Sequence, residues 1–445
     1  MDRAYDAEAS TDHRWIRAKV RAMHPIDGAR LRDDLERLVR IPSIAFPGYP
    51  RAPLDAAAAL VAELFEGARY VEVPGEAPSV YAEYGAGEPT VLLYAHYDVQ
   101  PASDGWNPFT PVVRDGRLYG RGAADDKSGI VAHLAALRAH GGQPPVRVKV
   151  VIEGSEENGR QRLLQIVDEQ PELMRADVMV IADAGNWRLG EPTLCETLRG
   201  HGKLTITLRT LERALHSGHF GGAAPDALLA LTRLLATLHD EHGDVAVAGL
   251  TGGAWEGADL PEADFRRQAG VLDGVSLIGT GTVADRLWAR HAISVLGIDA
   301  PAVEGAGNIV IPAARAKVAV RIPPGADPVA SMDAVERHLR ERVPFGAHFE
   351  VEVEPASTPT TLPYTAAAER ALAAAYGKPV ARMGSGGSIP LVARLQEAYP
   401  DAAFVLWGAQ DSDLARIHAD GESVDLGELE RIALAEALLL TELAG

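Results

Sequence analysis

The sequence predicts an α/β fold: a mixed, mostly parallel sheet flanked by helices, with a ferredoxin-like α+β domain inserted into it. Three observations carry this. Near-continuous apolar runs alternate with amphipathic helical stretches over the first 195 residues. After about Cys195 the strands alternate strictly, as strands with one wet face do. From about Thr358 the first pattern returns. The expected division is 1–197, 198–357 and 358–445, with the outer two segments forming one domain.

The elements follow in order. Arg30 to Arg40 has helical spacing at Leu31, Leu35 and Leu38, and a second helix covers about Leu54 to Gly67. Strands follow at "SVYAEYG", "TVLLYAHYD", "VRVKVVIEG" and "ADVMVIADA". Between the second and third lies "KSGIVAHLAALRAHGG", apolar at Ile130, Leu134 and Leu137 and closed by glycines. The middle segment reads strand "KLTITLRTL", helix Pro225 to His242, strands "AISVLGI" and "KVAVRIPP", helix "PVASMDAVERHLRERV", strand "HFEVEVEP". That β-α-β-β-α-β order is the split unit of ferredoxin-like domains. A Gly- and Asp-rich insertion, Leu250 to Asp285, interrupts it. The last segment gives helix Thr365 to Tyr376, strand "AAFVLWG" and a helix from Val424.

Composition narrows the function. Among 445 residues, 62 acids against 43 Lys and Arg leave a net charge of −19. That argues against nucleic acid or an anionic membrane as partner. Cys195 is the single cysteine, which excludes an intramolecular disulfide and a thiolate zinc site. Any metal must be held by His, Asp and Glu. The polar N-terminus has no signal-peptide core, so a cytoplasmic location is expected.

Ligand-type side chains gather where strands end. His96 and Asp98 close the second strand, two apart and so on one side. Asp125 and Asp126 precede a helix; Glu156 and Glu157 follow Glu153 in "VVIEGSEENG"; Asp183 ends the "VIAD" strand. The carboxyl ends of strands are where open α/β sheets bind ligands. Adjacent carboxylates become tolerable if one meets a divalent cation and its neighbour faces the water that the cation acidifies.

The motifs "LLYAHYDVQP", "GWNPFTP", "DGRLYGRGAADDKSG", "EGSEENG", "LHSGHFGG", "NIVIP", "VRIPPGAD" and "GSGGSIP" resemble those of the di-zinc peptidases that include carnosinase, cytosolic non-specific dipeptidase, aminoacylase and succinyl-diaminopimelate desuccinylase. The resemblance covers nearly the whole chain and lies nearest the dipeptidase branch. It implies that 198–357 is a lid and dimerisation domain. It implies that His96 and Asp183 hold one metal, Glu157 and His418 the other, and that Asp125 bridges them. Glu156 would be the general base and Asp98 would orient His96. His216 would reach the neighbouring subunit's site and steady an oxyanion, and Arg321, Asn308, Gly387 and Ser388 would grip the substrate. Two divalent ions per chain are implied, Zn²⁺ first, with Mn²⁺ or Co²⁺ as alternatives. Ser128 stands where the family has Gly, and Ser385 replaces a common Glu. The expected protein is a homodimeric dipeptidase acting on small peptides. Two rivals are an N-acyl or N-carbamoyl amino-acid amidase using the same site, and a non-catalytic metal- or peptide-binding homologue.

Overall fold

The structure, a computed structural model, describes residues 25–72, 75–103, 105–159, 163–250, 252–387 and 389–445. They form two compact units. The first comprises the chain up to Glu196 with Leu362–Met383 and Pro390–Gly445; the second comprises Thr197–Thr361 and Gly384–Ile389. Residues 358–361 and 384–389, expected in the larger domain, belong to the second unit. The reason is backbone pairing: Thr360 and Thr361 pair with Leu198 and Thr197, and Arg199 N–H donates to the Ser385 carbonyl at 3.3 Å.

In the first unit the strands run in the order Arg69–Val71, Ser79–Tyr84, Arg147–Glu153, Thr90–His96, Val178–Ile181, Ala403–Leu406 and then Thr193–Leu198. The four central strands are parallel, and the flanking pairs are antiparallel. The parallel strands are the ones that read as unbroken apolar runs. Val91 to Ala95, Val178 to Ile181 and Phe404 to Leu406 are all buried, because helices cover both faces.

Helices Lys127–Ala139, Ala366–Tyr376 and Leu426–Leu443 pack together in this unit. Thr365 caps one by accepting from Ala367 N–H, and Gly377, at φ 70°, ends it. Asp425 caps the last by accepting from Glu428 N–H at 2.8 Å. The first residue of the Lys127 helix has a second task. Its buried ammonium donates to the carbonyls of Leu38 (3.0 Å) and Ile41 (2.8 Å), where the helix Gly28–Val39 ends. Burial pulls that lysine down to about 7. Ser128 donates to the Ala124 carbonyl at 2.9 Å instead of accepting as a cap.

The second unit holds an antiparallel sheet in the order Ala292–Asp299, Ala313–Ile322, Gly200–Arg209, His348–Val353. With helices Ala227–Ala236 and Pro328–Glu341 this is the ferredoxin-like order, second strand, third, first, fourth. Leu204, Ile206 and Leu208 face the helices, while Thr205 and Thr207 between them, and His201 and Lys203 before them, stay half-exposed. The first helix stops six residues short of His242, where the Thr237 hydroxyl donates back to the Leu234 carbonyl at 2.7 Å. The insertion forms a helix, Glu262–Ala269, and a wide turn, Asp285–Ala289, in which Trp288 packs edge-on against Trp255. Among the described residues, no helix is long and apolar enough to cross a membrane.

Candidate metal centre

The centre lies in the first unit, at the carboxyl ends of the parallel strands. Tyr97 N–H continues the ladder to the Glu153 carbonyl at 2.8 Å. Gly154 then lets the chain pass the Tyr97 ring, whose hydroxyl a Cβ there would meet at 2.1 Å. The turn that follows is held by Asp98. Its carboxylate accepts the amides of Glu156 (3.1 Å) and Glu157 (3.0 Å). Adjacent glutamates are thus fixed by a third carboxylate, which two N–H donors satisfy.

His96 is fully buried, and its Nδ1 lies 3.1 Å from the Asp98 carbonyl. A carbonyl only accepts, so Nδ1 carries the hydrogen and Nε2 is left as the basic nitrogen of the neutral ring. That nitrogen faces Asp125 Oδ1 at 3.2 Å. Two acceptors facing each other need a proton or a cation between them. The Asp98 carboxylate, expected to orient this ring, stands farther from Nδ1, at 3.5 Å, than the carbonyl of the same residue.

The other oxygen of Asp125 faces a different imidazole. His418 Nε2 lies 3.0 Å from Asp125 Oδ2 and 3.2 Å from Glu157 Oε2. Two sets of ligand atoms result, each set within 4.8 Å internally: His96, Glu156 and Asp183, and Asp125, Glu157 and His418. His418 holds its place at φ 63°, a left-handed conformation costly for a residue with a Cβ.

The charges show the strain of this crowding. Burial pushes Glu156 up to about 7 and Asp183 well above the usual carboxylate range. Burial also raises Asp125, but its bonds to His418 and His96 outweigh that and hold it low. Those bonds from Asp125, then Glu157, lift His418 to about 10. Five carboxylates against two imidazoles is a set that divalent cations would neutralise, and oxygen with imidazole donors suits such ions. Asp126 differs from Asp125. Its carboxylate is buried without a hydrogen-bond partner among the described residues, and burial raises it to about 7. Gly129 makes room for it, since a Cβ there would come within 2.5 Å of Asp126 Oδ1.

Several supporting residues were given no role from the sequence. Glu422 Oε1 accepts the amides of Ala124 (3.0 Å) and Asp125 (3.1 Å), and its Oε2 pairs with Arg121 at 2.6 Å. Arg121 in turn lies over the Trp106 ring at 5.3 Å. Gln100 donates to Glu157 Oε2 at 2.8 Å, and Gln410 reaches Asp183 Oδ1 at 3.5 Å. A lone Glu or Gln in a polar loop reads as solvated; only its burial marks it out.

The remaining candidates lie in the second unit. His216 is exposed, accepts at Nδ1 from Gly218 N–H (3.1 Å) and stacks on His219 at 4.6 Å. Its strand Leu215–His216 pairs with Ile309–Val310, which puts Asn308 beside it; the Asn308 carbonyl accepts Ser217 N–H at 2.9 Å. Arg321 pairs in register with His201. Gly387 N–H donates to Ser385 Oγ at 3.1 Å. Ser388 lies outside the described residues.

Residues 92–442 match peptidase family M20/M25/M40. The cysteinylglycine-S-conjugate dipeptidase of Corynebacterium striatum is 45% identical over 367 residues, 79% of this chain and 80% of that protein. The crystal structure of human carnosine dipeptidase 1 superimposes with a TM-score of 0.78 at 26% identity, covering 96% of this chain and 99% of that one. The di-peptidase Dug1p of Saccharomyces cerevisiae shares the fold, with a TM-score of 0.77 at 22% identity over 96% and 98% of the two chains. On the strength of the family match and of this relative, the chain belongs to peptidase family M20/M25/M40.

Proposed function

We propose that this protein is a dinuclear metallo-dipeptidase that cleaves dipeptides or short peptides. The observation that carries the reading is Asp125, whose two oxygens each face a different imidazole, His96 and His418. That is the geometry of a carboxylate shared by two cations. His96 and Asp183 would hold one ion, Glu157 and His418 the other, with Asp125 bridging. Bound there, two such ions supply Lewis-acid polarisation of the scissile carbonyl and a water of lowered pKa.

The chain's own residues do the rest. Glu156 takes the proton of the attacking water and returns it to the leaving amine; its buried position beside His96 and Asp183 supports that role. Asp98 fixes the turn that presents Glu156. His216, exposed on the second unit, would donate to the oxyanion in the neighbouring subunit of a homodimer. Arg321, Asn308, Gly387 and Ser388 would hold the substrate, the guanidinium matching a carboxylate in two-point geometry. Zn²⁺ is the first choice of ion, with Mn²⁺ or Co²⁺ as alternatives, and the cytoplasm the proposed location. The named activity of the Corynebacterium striatum relative makes S-conjugated Cys-Gly the first dipeptide to try.

The test strips the protein of metal and restores it with Zn²⁺, Mn²⁺ or Co²⁺. Hydrolysis is followed on Cys-Gly, its S-alkyl conjugates, β-Ala-His, and N-acetyl and N-carbamoyl amino acids. Metal-restored cleavage of free dipeptides at two ions per chain is expected. Cleavage of the N-blocked compounds alone would overturn the dipeptidase reading in favour of an amidase. Sedimentation at assay concentration should give a dimer.

A further inference from the structure

The ligands of the first unit are carried by backbone of two kinds. His96 ends the strand Thr90–His96, and Asp183 lies two residues past Val178–Ile181, so the parallel sheet itself fixes them. His418 belongs to no strand or helix. It sits in the loop between Gln410–Asp411 and Ser423–Asp425. Its side chain is 52% exposed, while those of Asp125 and Glu157 are 8% and 4% exposed. Packing therefore holds this imidazole weakly, and its place depends on how the loop is tied down.

The ties are two buried arginines of one short stretch. Arg117 Nη2 donates to Asp411 Oδ2 at 2.8 Å and to the Ser423 carbonyl at 2.9 Å, and its Nε donates to Ser423 Oγ at 3.0 Å, which closes the two ends of the loop onto each other. Inside the loop, Leu414 N–H donates to Asp411 Oδ1 at 2.7 Å, and Ser423 N–H to the Ala415 carbonyl at 2.9 Å. Arg121 holds the wholly buried Glu422 by its Oε2, at 2.6 Å. That turns Glu422 Oε1 to the amides of Ala124 (3.0 Å) and Asp125 (3.1 Å), buried donors that are costly to leave without an acceptor.

The contact favours one side of the centre. Asp125 turns Oδ1 to His96 and Oδ2 to His418. Tying its backbone to residue 422, four positions past His418, sets the reach between Oδ2 and that imidazole. His96 takes its orientation from the Asp98 carbonyl instead. We infer that Glu422 is a positioning residue for one half of the metal centre: held by Arg121, it joins the loop of His418 to the backbone of Asp125 and so sets the spacing of Asp125, Glu157 and His418, while the sheet sets that of His96 and Asp183. The inference rests on the two-ion reading above. Glu422 is not itself a ligand; it acts through Asp125 and His418.

The test is Zn²⁺ binding by chelator competition with the full-length protein after metal removal, beside His418→Ala, which marks a chain with that half-site disabled. The wild type should bind two ions. Glu422→Leu should keep one ion at wild-type affinity, matching the ion kept by His418→Ala, and hold the other about 10–100-fold more weakly, the scale for loss of a group that orients metal ligands. The double variant Arg121→Met/Glu422→Gln keeps an oxygen for the two amides and removes the ion pair. Both its ions should stay within about threefold of the wild type, a change below about 1 kcal/mol. Unchanged binding in Glu422→Leu, both ions weakened alike, a surviving ion unlike that of His418→Ala, or a double variant as weak as Glu422→Leu would each overturn the inference. Thermal unfolding of the metal-free proteins shows which variants fold. If Glu422→Leu does not, Glu422→Asp replaces it: its charge still meets Arg121, but its oxygen is drawn back from the amides, and the same ion should weaken about tenfold. No change there overturns the inference as well. Fewer than two ions on the wild type overturn the two-ion reading and the inference with it; two ions on the wild type without selective loss in the variants overturn the inference alone.

Discussion

The two units leave opposite charges unfinished. In the first, Asp98, Asp125, Glu156, Glu157 and Asp183 converge on His96 and His418. In the second, Arg199 and Arg321 lie close enough to depress one pKa and meet no acid among the described residues. Three other buried pairs of the first unit are closed internally. Arg117 pairs with Asp411 at 2.8 Å, Arg121 with Glu422 at 2.6 Å, and His133 with Glu436 at 2.8 Å. The difference teaches that crowding of like charge in this chain is resolved in two ways: by pairing within the fold, as at these three, or by leaving a set of donors that outside ions would complete, as at the two histidines.

That contrast can be broken most severely at Asp125. Asp125→Asn should reduce the metal content below two ions per chain, read by elemental analysis, and turnover should fall to background. Two ions retained with near-normal turnover would remove the bridging role.

Glu156→Gln should lower kcat by about 10²–10⁴-fold, the range for loss of a positioned base. Metal content should stay at two. A fall in metal content as well would make Glu156 a ligand beside His96 and Asp183. His216→Ala should lower kcat by about 10²–10³-fold, as loss of an oxyanion donor does. Because His216 is exposed, its stability change should stay within about 0.5 kcal/mol in thermal unfolding. Unchanged kcat would withdraw the cross-subunit role. The smallest effect is expected at Gly386→Ala, where Arg199 need give way by only a few tenths of an ångström. The loss of stability should stay below about 1 kcal/mol in thermal unfolding.

The first unit's site was legible because its side chains sit on punctuation. His96 and Asp183 end apolar strands, Asp125 precedes a helix, and Glu156 and Glu157 follow a glycine, so each stands out against its neighbours. Glu422 and Gln100 were given no role, because nothing in a polar loop tells which acid or amide will be buried against a partner 297 or 57 residues away in sequence. The ferredoxin-like order was legible from strict alternation in "KLTITLRTL", where Leu204, Ile206 and Leu208 go inward. The place of residues 384–389 was not, since it depends on the Ser385 carbonyl meeting Arg199 N–H, a backbone contact that no side-chain pattern encodes. Arg199 was invisible for a related reason. An arginine two residues before a strand's first polar position reads as surface until its burial is known.

The contact between Glu422 and the Ala124 and Asp125 amides ties two distant stretches of the chain into one hinge point. Glu422 follows His418 by four residues, so a single turn brings both the second imidazole and the backbone acceptor to Asp125. A change that displaces this turn therefore takes away two supports of Asp125 at once, one from its carboxylate and one from its backbone.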